Sequence, residues 1–213
     1  MKNLTRNKAL FFCILLGMIN ISVHGQVMPF GMLSKGATTI NNPPAVGDFH
    51  QGGVIFYLFQ SGDPGYVAGE THGLIAAIED QHSGVQWWKD FTSTFATAKG
   101  IGAGQTNTAK IINTYGRNDI YAAIVCDDYS FTVEEETYDD WFLPSEYELN
   151  LMYLNKGTID AIAVDKGGHI FFNRYASSTE WNNGYAMTQN FNDGRIYHLN
   201  KRDGRNVRAI RAF

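Results

Sequence analysis

The sequence predicts a single α+β domain, and three observations carry that class. A β-branched and aromatic run, Val54-Ile55-Phe56-Tyr57-Leu58-Phe59, lies between Gly52-Gly53 and Gly62-Asp63-Pro64-Gly65, which marks a strand ending in a turn. Ser145 followed three residues later by Glu148 is a capping box and starts a helix, with Pro144 just outside it holding Leu143 away from helical dihedrals. The last forty residues read as a strand meander, Tyr175 to Thr179, Tyr185 to Phe191, Arg195 to Leu199 and Val207 to Phe213. Asn192-Asp193-Gly194 and Asp203-Gly204 supply its hairpin signals.

The remaining elements follow in order. Leu74 to Ile78 reads as the strand after Val54 to Phe59. Trp87-Trp88 reads as core or rim packing, with a sugar-stacking platform as the alternative. Gly100-Ile101-Gly102-Ala103-Gly104 has neither the spacing of a dinucleotide fingerprint nor a Gly-Lys-Ser/Thr ending. It therefore predicts a turn before a helix capped by Thr106 or Asn107, whose apolar side is Ala109, Ile112 and Tyr115. Tyr121 to Cys126 is a second helical piece, with Cys126 as a small buried hydrophobe. Trp141-Phe142-Leu143 should enter the Ser145 helix extended and buried, and Leu149, Met152 and Tyr153 give that helix its apolar face. Lys156-Gly157 predicts its end, and His169 to Phe172 a short strand. In Val207 to Phe213, Arg208 and Arg211 interrupt the apolar residues, as on a strand with one wetter side.

Asp140-Trp141-Phe142-Leu143-Pro144-Ser145 with Glu148-Leu149, then Ala176-Ser177-Ser178-Thr179-Glu180, then Val207 to Phe213, resemble the Legionella collagen-like protein C-terminal domain family. Gly52 to Tyr57, His72 to Ala77, Trp87 and Ile101 to Thr108 are similar to the longer form of that family in secreted bacterial proteins, so the likeness spans roughly residues 48 to 213. The resemblance implies a C-type-lectin-like fold: twisted antiparallel sheets, two main helices, and first and last strands brought together. It also implies a binding role.

At the start of the chain, Lys2, Arg6 and Lys8 precede an apolar run from Ala9 to Ile21, and Val23-His24-Gly25 offers small residues to a signal peptidase. Residues 1–25 read as a secretory signal peptide and 26–47 as a linker, with a short strand at Val27 to Phe30 as the competing reading of that stretch; 48–213 form the domain. The apolar run is short of the ~20 residues a membrane span needs, so an exported protein with no stable span after cleavage is expected, in the periplasm, at the cell surface or outside. Cleavage leaves 14 Lys plus Arg against 21 Asp plus Glu, a formal charge of −7, which disfavours nucleic acid as a partner. Cys126 alone remains, so the core must hold without an internal disulfide.

No catalytic constellation survives a scan. The six histidines lack metal-helix spacing, and there is no Gly-x-Ser-x-Gly elbow. Lectin-like formylglycine-generating oxidases need two cysteines, and one mature cysteine cannot supply them. Composition leaves open a two-acid envelope hydrolase using Asp139, Asp140 or Glu180, and a structural envelope component is a third reading. Seven acids between Asp127 and Asp140 could offer oxygens to calcium, but their spacing matches no calcium loop and reads as a solvated segment. The Glu-Pro-Asn type triplet of sugar-binding C-type lectins is missing, and Glu180-Trp181-Asn182-Asn183 departs from their second motif. No cofactor or metal site is expected.

The leading expectation is thus a non-enzymatic binding module for a glycan or surface protein, adhesin-like in character. Its face is expected among Trp181, Asn182, Asn183, Asn192, Asp193, Arg195, Tyr197, Lys201 and Arg202, where stacking and hydrogen-bonding side chains crowd the hairpins before the final strand. Polar residues that merely keep an exposed edge soluble are the plainer explanation of the same pattern. Within the face, the turn residues and Trp181 are the firmest members.

Overall fold

In a computed structural model, residues 42–213 are described; the expected signal peptide, most of the linker and the competing Val27 to Phe30 strand lie outside them. The described chain is α+β, with antiparallel sheets and four helices. One sheet has the order β1 (Phe49–His50), β2 (Gly53–Leu58), β3 (Gly73–Ala77), β11 (Ile210–Ala212). Successive residues of β2 and β3 point to opposite faces, and both faces are covered. Ile55, Ile75 and Ala77 join a core with Trp87, Ile111, Ala123 and Trp141. Val54, Phe56, Leu74 and Ala76 join another with Leu149, Met152, Ile159 and Phe171. Burial on both sides is why these strands are continuous apolar runs rather than alternating ones.

The second sheet has the order β4 (His82–Gln86), β10 (Gly204–Val207), β7 (Arg174–Asn182), β8 (Tyr185–Asn190), β9 (Ile196–Asn200), antiparallel except for a parallel bridge between Asn206 and Tyr175. A small hairpin, β5 (Phe131–Val133) and β6 (Glu136–Tyr138), stands apart. The expected strand Val207 to Phe213 is therefore two: Val207 ends β10, and the chain crosses to the first sheet, where Ile210 pairs with Ala76, itself paired with Val54. The first and last strands do share a sheet, with β3 between them. The wetter side expected for Arg208 and Arg211 is absent, since both are buried. Arg208 pairs with Asp80 (2.7 Å) and Arg211 with Asp140 (2.5 Å), and each guanidinium covers an aromatic ring, Phe171 or Tyr138.

The helices number four, where two main ones were expected: α1 (Ala103–Tyr115), α2 (Ala122–Asp127), α3 (Glu146–Leu154) and α4 (Lys156–Asp165). Thr106 and Asn107 lie inside α1, which starts after Gly102 in a left-handed conformation (φ 77°), rather than capping it. Lys156-Gly157 begins α4 instead of ending a helix, and His169 to Phe172 is irregular. Glycine at position 157 misled because its helical neighbours Ile159 and Ala163 are anchored by burial, which outweighs a propensity of ~1 kcal/mol.

The stretch Trp141 to Glu148 ties the domain together. Phe142 and Ile210 exchange backbone hydrogen bonds (2.8 and 3.0 Å), Leu143 N–H donates to Thr108 of α1 (3.1 Å), and Ser178 N–H of β7 donates to the Pro144 carbonyl (2.7 Å). The capping box is present: Ser145 Oγ accepts from Glu148 N–H (3.3 Å), and Glu148 Oε2 accepts from Ser145 N–H (2.8 Å). The wholly buried Glu148 also accepts from Gly102 N–H (2.7 Å) and Gly104 N–H (3.1 Å), so one carboxylate joins the N-termini of α1 and α3. Burial pushes its pKa up, against the hydrogen bonds from Ser145, Gly102 and Gly104 that favour the charged form.

Candidate functional site

Three loops meet at one end of the second sheet, held from below by a buried ion pair. Lys201, at 0 % exposure, donates through Nζ to Glu180 Oε1 (2.6 Å), to the Thr92 carbonyl (3.1 Å) and to Tyr115 Oη (3.4 Å), and lies 4.5 Å from the Trp87 ring centre. Glu180 Oε2 accepts from Thr94 N–H (2.9 Å), Thr94 Oγ1 (2.9 Å) and Ser93 Oγ (3.1 Å). Burial opposes the charge on Glu180, but the Lys201 ammonium and these donors outweigh it and hold the carboxyl below its ordinary range. Burial pulls the Lys201 ammonium down in turn, with Glu180 opposing. One pair thus fixes β7, the turn after β9, and the loop 89–99 against one another.

The side chains next to this anchor in sequence point the other way. Trp181, following Glu180, is the extra residue of a β-bulge: Glu180 faces Ala186 and Asn182 faces Tyr185. It is 51 % exposed, and its ring stacks on His198 of β9 at 5.3 Å and 15°. Tyr185 meets the edge of His198 at 5.9 Å, and Lys99 Nζ lies 5.7 Å from the Trp181 ring centre. Arg202, following Lys201, sets its guanidinium 4.3 Å over Phe91. Phe95 is 75 % exposed and has a left-handed backbone (φ 56°), which a bulky residue rarely adopts. Thr94 on one side and Ala96 on the other, both bonded to Glu180, hold it there.

Of the residues expected from sequence, the structure gathers Trp181, Asn182, Asn183 and Arg202 at this end. Asn182 builds the turn, accepting from Gly184 N–H (2.9 Å) and Tyr185 N–H (3.0 Å), while Asn183 is exposed. Lys201 belongs to the core and does not face a ligand. Asn192, Asp193 and Arg195 sit in the β8–β9 turn, at the opposite end of those strands, ~17 Å away for five residues of strand. Tyr197 points to the other face of β9 from His198, with Arg174 5.0 Å over its ring. The face is therefore composite, and Phe91, Phe95, Lys99 and Tyr185 were missed. The first two stood as isolated aromatics in Phe91-Thr92-Ser93-Thr94-Phe95, a run too polar for a core strand.

Elsewhere, Trp87 and Trp88 are buried, Trp88 stacked on Tyr115 at 3.9 Å, so they form packing and not a platform. Burial pushes the Cys126 thiol up. Of the carboxylates considered for hydrolysis, Glu180 is engaged with Lys201 and Asp140 with Arg211. Among the described residues no group of His, Cys, Asp and Glu is placed to hold a metal ion, and no helix is long and apolar enough to cross a membrane. Compared with protein-family models and with curated proteins, the chain matches none.

Proposed function

We propose that this chain is an exported, non-enzymatic binding module of C-type-lectin-like architecture that takes a glycan on the face around Trp181. One observation carries the reading: the indole of Trp181 is presented by a bulge, stacked and half-exposed, above an ion pair that holds three loops rigid. Trp87, Trp88 and Trp141 are by contrast buried. A flat aromatic with Lys99 beside its ring and Asn183 exposed two residues on suits the apolar face of a pyranose ring and the hydroxyls around it. Large exposed aromatic groups on a rigid frame mark interaction sites more often than solvation.

A glycan array probed with the exported protein, with and without a chelator, tests this. Binding that survives the chelator and is lost in Trp181→Ala supports the reading; binding only to surface proteins would replace the glycan, and binding unchanged by Trp181→Ala would overturn the site. Export is tested by fractionating cells that express the full chain. A product beginning at Gln26 outside the cytoplasm is expected.

A further inference from the structure

Trp181 and His198 stack although their strands are not neighbours. β8 lies between β7 and β9, so their backbones are two strand spacings apart, ~9.5 Å. Side chains stand roughly perpendicular to a sheet, and residues two strands apart do not ordinarily stack. Here the ring centres lie 5.3 Å apart at 15°, so the indole leans over β8 to reach the imidazole. The bulge at Trp181 supplies the tilt, since an extra residue in one strand re-aims its side chain. Tyr185 of β8 meets the imidazole edge-on (5.9 Å, 81°) and steadies it from the side. His198 is exposed, and no hydrogen bond or ion pair of its ring is present among the described residues. His72, by contrast, bonds to the Phe213 carbonyl and the Glu70 carboxylate, and His82 accepts from Gly84 N–H.

We infer that His198 is a positioning residue of the Trp181 site: its flat ring occupies one face of the indole and holds it still, so that a sugar stacks on the opposite face alone. The inference rests on the Trp181 face being a glycan site. Exposed side chains change rotamer within nanoseconds, and an indole that does so must be immobilised when a ligand stacks on it. The stack on His198 meets that cost in the free protein. Lys99 also lies beside the ring, with Nζ 5.7 Å from its centre and paired with Glu146 (2.8 Å). An ammonium on a flexible stem restrains an indole less than a second ring laid against it does. An imidazole suits this role at a surface, because its nitrogens stay in water while its face packs.

The exported protein and its His198→Ala, His198→Phe and Trp181→Ala variants, labelled with nitrogen-15 at the indoles, test this with and without sugar. The Trp181 indole resonance is the one missing from Trp181→Ala. In the free protein its N–H order parameter should lie in the rigid range, ~0.85, for the parent and His198→Phe, and fall below ~0.6 for His198→Ala. The melting temperature should not change. Titration with cellobiose, lactose and mannobiose follows. A sugar that binds the parent should bind His198→Ala roughly five- to tenfold more weakly and His198→Phe as well as the parent. An indole equally ordered in His198→Ala, or one that loses order with affinity unchanged, overturns the inference while the Trp181 reading stands. Equal loss of affinity in His198→Ala and His198→Phe also overturns it, because the imidazole nitrogens and not the ring face would then be the contact. Binding of none of the sugars, or binding unchanged in Trp181→Ala, overturns the Trp181 reading and this inference with it.

Discussion

Lys201 and Phe95 show at the residue scale how stability and display are divided. Removing the Lys201 ammonium leaves Glu180 charged and buried, so Lys201→Ala should lower stability by ~3–5 kcal/mol in urea titration. Lys201→Met combined with Glu180→Gln should lose much less, because no uncompensated charge remains. The pH dependence has a definite sign. The folded carboxyl of Glu180 is held below its unfolded value, so its contribution is complete above the ordinary carboxylate range and fades as pH falls through the folded value. The stability gap between the parent and Glu180→Gln should therefore narrow in acid; a gap that widens would refute the assignment. Phe95 carries strain that nothing in the core requires of its side chain. Phe95→Gly should melt no lower than the parent yet bind glycan more weakly, since glycine relieves a left-handed position at ~1 kcal/mol.

Among the elements, the joint between α1 and α3 is the tightest. A Cβ on Gly104 would fall 2.3 Å from Glu148 Oε2 and 2.9 Å from the Leu143 carbonyl, whereas one on Gly100 would meet nothing within 4 Å. Gly104→Ala should thus destabilise by ~2 kcal/mol or more, and Gly100→Ala should be neutral within ~0.5 kcal/mol, both read by thermal unfolding. The joint also explains why the α3 start was legible. A capping box is a local device, complete within Ser145 to Glu148, and needs no distant partner to be read. The Gly102 start of α1 was not legible, because its orphan N–H groups are satisfied by a glutamate more than forty residues away.

For the whole molecule, the last strand closes the first sheet. Ile210 to Ala212 cover β3 and exchange hydrogen bonds with Phe142, so they join the C-terminus to the segment that organises the helices. A chain ending at Ala209 should lose cooperative unfolding and the amide-exchange protection of Leu74 to Ala76; retention of both would show the closure to be dispensable. The same closure places Arg208 and Arg211 in the interior, each beside a carboxylate and an aromatic ring. Alternation along one strand predicted water on one side of them. Passage between two sheets at Arg208-Ala209 removed that side.

The sequence by itself determined the α+β class, the central strands β2 and β3, the α3 start and the hairpin β8–β9, whereas the hairpin signalled by Asp203-Gly204 does not form, because β10 pairs with β4 and β7 rather than with β9. Each is carried by a short-range signal: a β-branched run, a cap, a turn glycine. It also placed Trp181, Asn183 and Arg202 among the candidates, since exposed turns are rich in residues a core does not use. Only the tertiary structure decided which candidates belong together. Lys201 went to the core because Glu180 lies across the sheet to neutralise it, and Asn192, Asp193 and Arg195 went to the far end because consecutive hairpin turns alternate between the ends of a sheet. Phe91 and Phe95 entered because Thr94 reaches Glu180 from a loop 86 residues earlier in the chain. A face built from three loops is a property of the contacts that pin them, and those contacts have no counterpart in local sequence.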